Sequence, residues 1–276
     1  MVWESLRRRL IRFDRKLSIT KRQQFVMVTI LLTFGLVLTQ LVGEDARYPM
    51  AFGLSFFAYL FSAFALRDDL KSIEWLSLLT LPTLFTTAVA LFYFLLPSRW
   101  LTRVPVVGLY AVGMYALLLT ENIYNMAVDR TIALLRAAHS VGFLLTIVTY
   151  FLLVQTIFAF RFPFFLNVLL VGIFSFLLVF QSLWAVVLEN PVSRRVWHIT
   201  LAISVVLAEI AYMFSFWPIQ STLAVLFLTT SFYAAVGMAQ QYLVERLYKK
   251  TVIEFFFLTV IVFIIVLFAT RWRGNF

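Results

Sequence analysis

The sequence predicts an all-α polytopic transmembrane bundle of about nine spans, with its N-terminus cytoplasmic and its C-terminus outside. Composition, the length of the apolar runs and the placement of basic residues each point there. Of 276 residues, 63% are hydrophobic and only 13% charged, against roughly 25% charge in a water-soluble domain. A spanning helix needs about 20 apolar residues, so short polar breaks divide the chain into about nine such runs and leave no room for a soluble domain. Hydrocarbon offers no partner to backbone N–H and C=O groups, and the runs lack the alternation of a membrane barrel, so they must be helices.

In chain order, residues 1–22 form a basic segment with eight Lys or Arg. The apolar run after it has full spanning length and no small-residue cleavage signature, so it reads as a retained signal anchor. A single transmembrane domain over 23–270 and a short tail over 271–276 complete the chain. The predicted spans are Gln23 to Val42, Tyr48 to Leu66, Trp75 to Leu96, Val104 to Thr120, Arg136 to Phe160, Pro163 to Leu188, Trp197 to Phe216, Pro218 to Val236 and Ile253 to Thr270. The stretch from Trp197 to Val236 is too long for one crossing, and Trp217-Pro218 near its centre supplies a tight turn.

With the N-terminus inside, 17 of the 23 Lys and Arg fall on the cytoplasmic side, as the positive-inside rule requires. Six of the seven tryptophans (Trp75, Trp100, Trp184, Trp197, Trp217 and Trp272) lie at or near span ends, where amphipathic rings favour the headgroup region. The net charge of +10 is accounted for by topology, which removes the case for nucleic acid. The chain has no cysteine and only two histidines, which excludes disulfides, thiolate chemistry and Cys-based metal sites. Neither histidine belongs to a two-ligand zinc spacing, so neither metal nor cofactor is expected. No internal repeat is visible. Nine glycines against 31 phenylalanines, with no GxxxG pattern, favour a rigid body packed by aromatic side chains.

Few residues can carry chemistry. Glu209 is predicted to lie deep within a span, eight residues before Trp217, or about 12 Å from the outer end at 1.5 Å per residue. Acidic groups at such depth usually face the bundle interior or a wet cavity. Glu209 is therefore expected to serve as a proton-linked switch, a cation ligand or an interhelical tie to a group such as Tyr212 or Gln155. The third span carries Pro82 with Thr83, Thr86 and Thr87. Proline frees the carbonyl of Leu78 and favours a kink, and the threonines could either satisfy the backbone or line a polar path.

The most polar segment runs from Thr120 through Glu121, Asn125 and Asp129 to Arg136 and His139, and is expected at the cytoplasmic surface. If helical, Glu121, Asn125 and Asp129 share one face, with Asp129 suited to capping the fifth helix. The cluster could bind a headgroup, phosphate or cation, or be an ordinary solvated hairpin. Gln240, Gln241, Glu245, Arg246 and Lys249 are expected to continue the eighth span as a solvated helix end.

The runs Leu119-Thr-Glu121-Asn-Ile-Tyr-Asn125 and Arg130-Thr-Ile-Ala-Leu-Leu-Arg136-Ala-Ala-His139 resemble a stretch in uncharacterised multi-spanning membrane proteins of uncultivated bacteria. The resemblance covers about one helical hairpin. It implies a bacterial cytoplasmic membrane and a hairpin of importance, but no activity.

Three functions remain open. A transporter of a small solute or ion predicts a wet cavity reaching Glu209. A structural or accessory subunit, contacting lipids and a membrane protein partner or a second copy, predicts a filled core. A lipid-acting enzyme predicts that Glu121, Asp129, Arg130, Arg136 and His139 converge. It lacks any paired-carboxylate, Ser-His-Asp or nucleotide-binding pattern.

Overall fold

Residues 20–39, 46–66, 74–97, 100–127, 134–188 and 191–270 are described by a computed structural model. Among them are nine α-helices and no strands: α1 (Lys21–Leu38), α2 (Arg47–Leu66), α3 (Glu74–Leu95), α4 (Trp100–Ala127), α5 (Leu135–Ala159), α6 (Phe164–Val187), α7 (Arg194–Phe216), α8 (Ser221–Leu243) and α9 (Lys249–Ala269). All nine are long and apolar enough to cross a membrane. The predicted turn at Trp217-Pro218 falls between α7 and α8.

Two boundaries differ from expectation for a physical reason. The fourth helix does not stop at Thr120 but runs on to Ala127, for 28 residues. Its polar stretch stays helical because Thr120, Glu121, Tyr124 and Asn125 are buried against neighbouring helices. The eighth carries on past Val236 through Gln240 and Gln241 but ends at Leu243, and the rest of the expected extension is a turn before Lys249 opens α9. Glu245 takes a left-handed φ of 58°, and the Arg246 N–H donates to the Gln241 carbonyl at 2.8 Å, which closes off the free carbonyls of the last turn.

Helices α3, α5, α6 and α8 form the centre, α3 packing on α2, α4, α5 and α6, and α5 on α4, α6 and α8. Aromatic side chains fill it, with Tyr150 stacked on Phe232 at 4.2 Å and Phe85 on Tyr110 at 5.6 Å between ring centroids. Offset ring pairs of this kind add to the stabilisation from burial. Gly113 lets the Phe85 ring approach to where a Cβ would stand 2.7 Å from it, which draws α3 and α4 close.

The last helix is peripheral. Val266 is its only buried residue among those described. Phe255 sits in a notch at Gly237 of α8, Phe263 meets Phe227, and the Trp217 indole donates to the Thr270 hydroxyl at 3.1 Å.

Candidate functional site

The polar side chains meet near the ends of four helices, where α4 and α6 finish, α5 begins and α8 approaches its last turn. Glu121 on α4 is fully buried. One carboxyl oxygen accepts a hydrogen bond from the Gln181 amide of α6 at 3.0 Å, and the other is buried with no hydrogen-bond partner among the described residues. One helical turn on, Asn125 donates from Nδ2 to the Leu66 carbonyl at 3.5 Å. Its own carbonyl oxygen is likewise buried and unpartnered. Four residues apart on a helix, the two side chains share a face.

A second set of contacts fixes the surroundings. Tyr124 donates its hydroxyl to the Ala138 carbonyl at 2.9 Å. Its approach requires Gly142, where a Cβ would lie 2.5 Å from the Tyr124 oxygen. His139 Nε2 donates to the Ala185 carbonyl at 2.9 Å, so its imidazole turns inward beneath the Tyr124 ring, 5.5 Å away. Gln240 of α8 donates to both the hydroxyl and the carbonyl of Ser182, at 2.9 and 3.2 Å. Tyr124, His139, Gly142, Gln181, Ser182 and Gln240 border a cavity of about 10 Å³, room for about one water molecule.

The register of α3 against α4 brings a further oxygen to this level. Thr86 bonds Tyr110 and Phe85 faces Gly113, so the helices run antiparallel. Nine residues back along α3, Ser77 reaches the depth of Leu119 to Glu121. The Ser77 hydroxyl is buried with no hydrogen-bond partner among the described residues.

The site differs from the sequence expectation in three respects. Glu121 and Asn125 share a face as predicted but lie inside the bundle, not at its surface, because the helix continues and Gln181 supplies a partner. Glu209 does not face inward: it is exposed on the outer wall of α7, and among the described residues no cavity reaches it. Its expected interhelical tie is absent among them for the same reason, since the inward stripe of α7 is Val196, Thr200, Ser204, Leu207, Ala211 and Phe214.

The threonines of α3 serve its own backbone. Thr83 donates to the Leu79 carbonyl at 2.7 Å and buried Thr86 to Pro82 at 2.9 Å, while Thr87 bonds Ser55 at 2.8 Å. The helix continues through Pro82. Thr83 and Thr87 border a groove of about 420 Å³ whose other walls include exposed Phe52, Phe56 and Tyr59, so it opens sideways between α2 and α3.

Arg136 is exposed, whereas His139 is half-buried. Asp129 and Arg130 lie outside the described residues. No group of three or more His, Cys, Asp or Glu suited to a metal occurs among those described. Sequence reasoning missed Gln181, Ser182 and the role of Tyr124, and it placed Gln240 in a solvated helix end, whereas Gln240 is half-buried and bonded to Ser182. The detectable signal was Gln181-Ser182, a polar pair near the end of an otherwise mostly apolar α6.

The chain belongs to a family described as "Protein of unknown function (DUF5656)", whose model matches residues 50–269. No curated protein and no solved structure matches the chain.

Proposed function

We propose that the protein is a multi-pass protein of a bacterial cytoplasmic membrane that moves a small cation or a proton, with Glu121 as its binding station. The fully buried Glu121 carboxyl, with one oxygen held by Gln181 and the other free, is the observation that carries this reading. An ionisable side chain enclosed within a candidate span is costly and marks a functional site by default. The unpartnered buried groups that α4 offers here are both oxygens: a Glu121 carboxyl oxygen and the Asn125 carbonyl. Oxygen sets of this kind suit hard cations and protons rather than soft metals.

With the N-terminus in the cytoplasm, α4, α6 and α8 run inward. Glu121, Gln181 and Gln240 then lie in the cytoplasmic third of the bundle, beneath Arg136, Arg194, Arg195, Arg246, Lys249 and Lys250. Those cations would favour anionic lipid at that surface. The cavity beside Gln181 is too small for anything beyond a water, so the arrangement corresponds to a closed station.

The test is flux into liposomes carrying the purified protein, read with pH- and sodium- or potassium-sensitive dyes. Cation or proton flux above empty liposomes, abolished in Glu121→Gln and retained in Glu209→Gln, is the expected result. Flux unchanged in Glu121→Gln would overturn the assignment of the station. The filled interior favours a second function, an accessory subunit of a membrane assembly. Absence of flux from a correctly folded protein would select it.

A further inference from the structure

We infer that the outer face of α7 is the interface of a homodimer, in which Glu209 of each copy accepts a hydrogen bond from Tyr212 of the other. This rests on the outer wall alone and stands whether or not Glu121 binds a cation.

Helix α7 has two distinct sides. Its inward stripe is rich in small and hydroxyl side chains, among them Thr200, Ser204 and Ala211. On the opposite side His198, Ala202, Val205, Glu209, Tyr212 and Phe216 are exposed. Glu209 stands about 10 Å from the helix end at 1.5 Å per residue, within a candidate span. A carboxyl facing lipid at that depth lacks both water and protein, and such groups are found paired or facing a cavity. No cavity reaches Glu209 among the described residues, so the partner has to come from another molecule.

The face carries its own complement. Tyr212 lies one turn beyond Glu209, and its ring stands edge-on to Phe164 and Phe216. It is 49% exposed, and its hydroxyl makes no hydrogen bond within the described chain. Two copies inserted with the same topology and related by a twofold axis along the membrane normal bring α7 against α7 in parallel, and in such an interface each contact occurs twice. Tyr212 is about 4.5 Å further along the helix axis than Glu209. Side chains lean toward the helix N-terminus, so the Tyr212 hydroxyl reaches back to the depth of its partner's carboxyl.

Beside Glu209 the wall offers a seat for the second copy. Gly172 of α6 lies against Ala208, where a Cβ would stand 3.5 Å from the alanine methyl. This close approach leaves an apolar outer groove of about 410 Å³ bordered by Leu169, Ile173, Phe176 and Val205. Without a hydrophobic driving force in lipid, helices associate by this kind of close fit together with hydrogen bonds between side chains.

The absence of cysteine makes the test direct. Ala202→Cys, Val205→Cys and, as a control on the exposed side of α9, Ile261→Cys are oxidised in native membranes and run on non-reducing gels. Ala202→Cys and Val205→Cys should give a band at twice the mass of the chain, at least tenfold stronger than the control. Adding Glu209→Leu should reduce that band severalfold, and adding Glu209→Gln should keep it, because an amide still accepts from Tyr212. Equal bands at all three positions, no band, or insensitivity to Glu209→Leu would overturn the proposal. Photobleaching of the fluorescently tagged parent chain should show two steps, and single steps would overturn it without relying on any variant's folding.

Discussion

Glu121 and Glu209 are both carboxyls within candidate spans, yet they stand in opposite surroundings. Glu121 is enclosed by α4 and α6 and held by Gln181, whereas Glu209 looks away from the bundle. For an internal carboxyl, the neighbouring helices determine what it can bind. For one on the outer wall, the requirement falls on another molecule. Identical side chains at comparable depth therefore point to different properties, one to an internal station and the other to an assembly surface.

The largest expected effect comes from breaking the internal side of this contrast. Glu121→Leu leaves the Gln181 amide buried without its acceptor, at a cost of about 1–3 kcal/mol. The purified protein should melt clearly lower in detergent, and Glu121→Gln should recover much of the loss. Undiminished stability in Glu121→Leu would mean that Gln181 finds another acceptor.

Next comes Gly142→Ala, which places a methyl where Tyr124 must pass. Overpacking of this kind costs about 1–3 kcal/mol, and Gly142→Ala with Tyr124→Phe should melt higher than Gly142→Ala alone. A smaller effect is expected for Thr87→Val, which removes the bond to Ser55 worth about 0.5–1.5 kcal/mol. Smallest is Glu209→Leu. At dilutions where the chain is monomeric, it should melt no lower than the parent, because no contact within the chain is lost. A large drop would place Glu209 back inside the bundle and erase the contrast.

The nine helices were legible because each apolar run had spanning length and each break carried proline, glycine or charge. The azimuth of each helix was not. In lipid both faces of a helix are apolar, so hydrophobic periodicity says little about which side is inward, and Glu209 was placed inside on depth alone. Finer evidence existed in α7: Thr200, Ser204 and Ala211 mark the inward stripe, and Glu209 lies off it. The pairing of Glu121 with Gln181, 60 residues apart, was hidden for a different reason. The polar run from Thr120 to Asn125 reads as a helix end unless a partner from a distant segment is known to meet it.

The slight anchorage of α9 has a mechanical consequence. Among the described residues its main holds are Phe255 in its notch at Gly237 and against Tyr233, Phe263 against Phe227, buried Val266 and the Trp217 to Thr270 bond. Pulled by its C-terminus on a cantilever, the chain would release Thr270 first and Phe255 last. The helix would peel away like a zip at low load, leaving the other eight to resist as a block at a higher one.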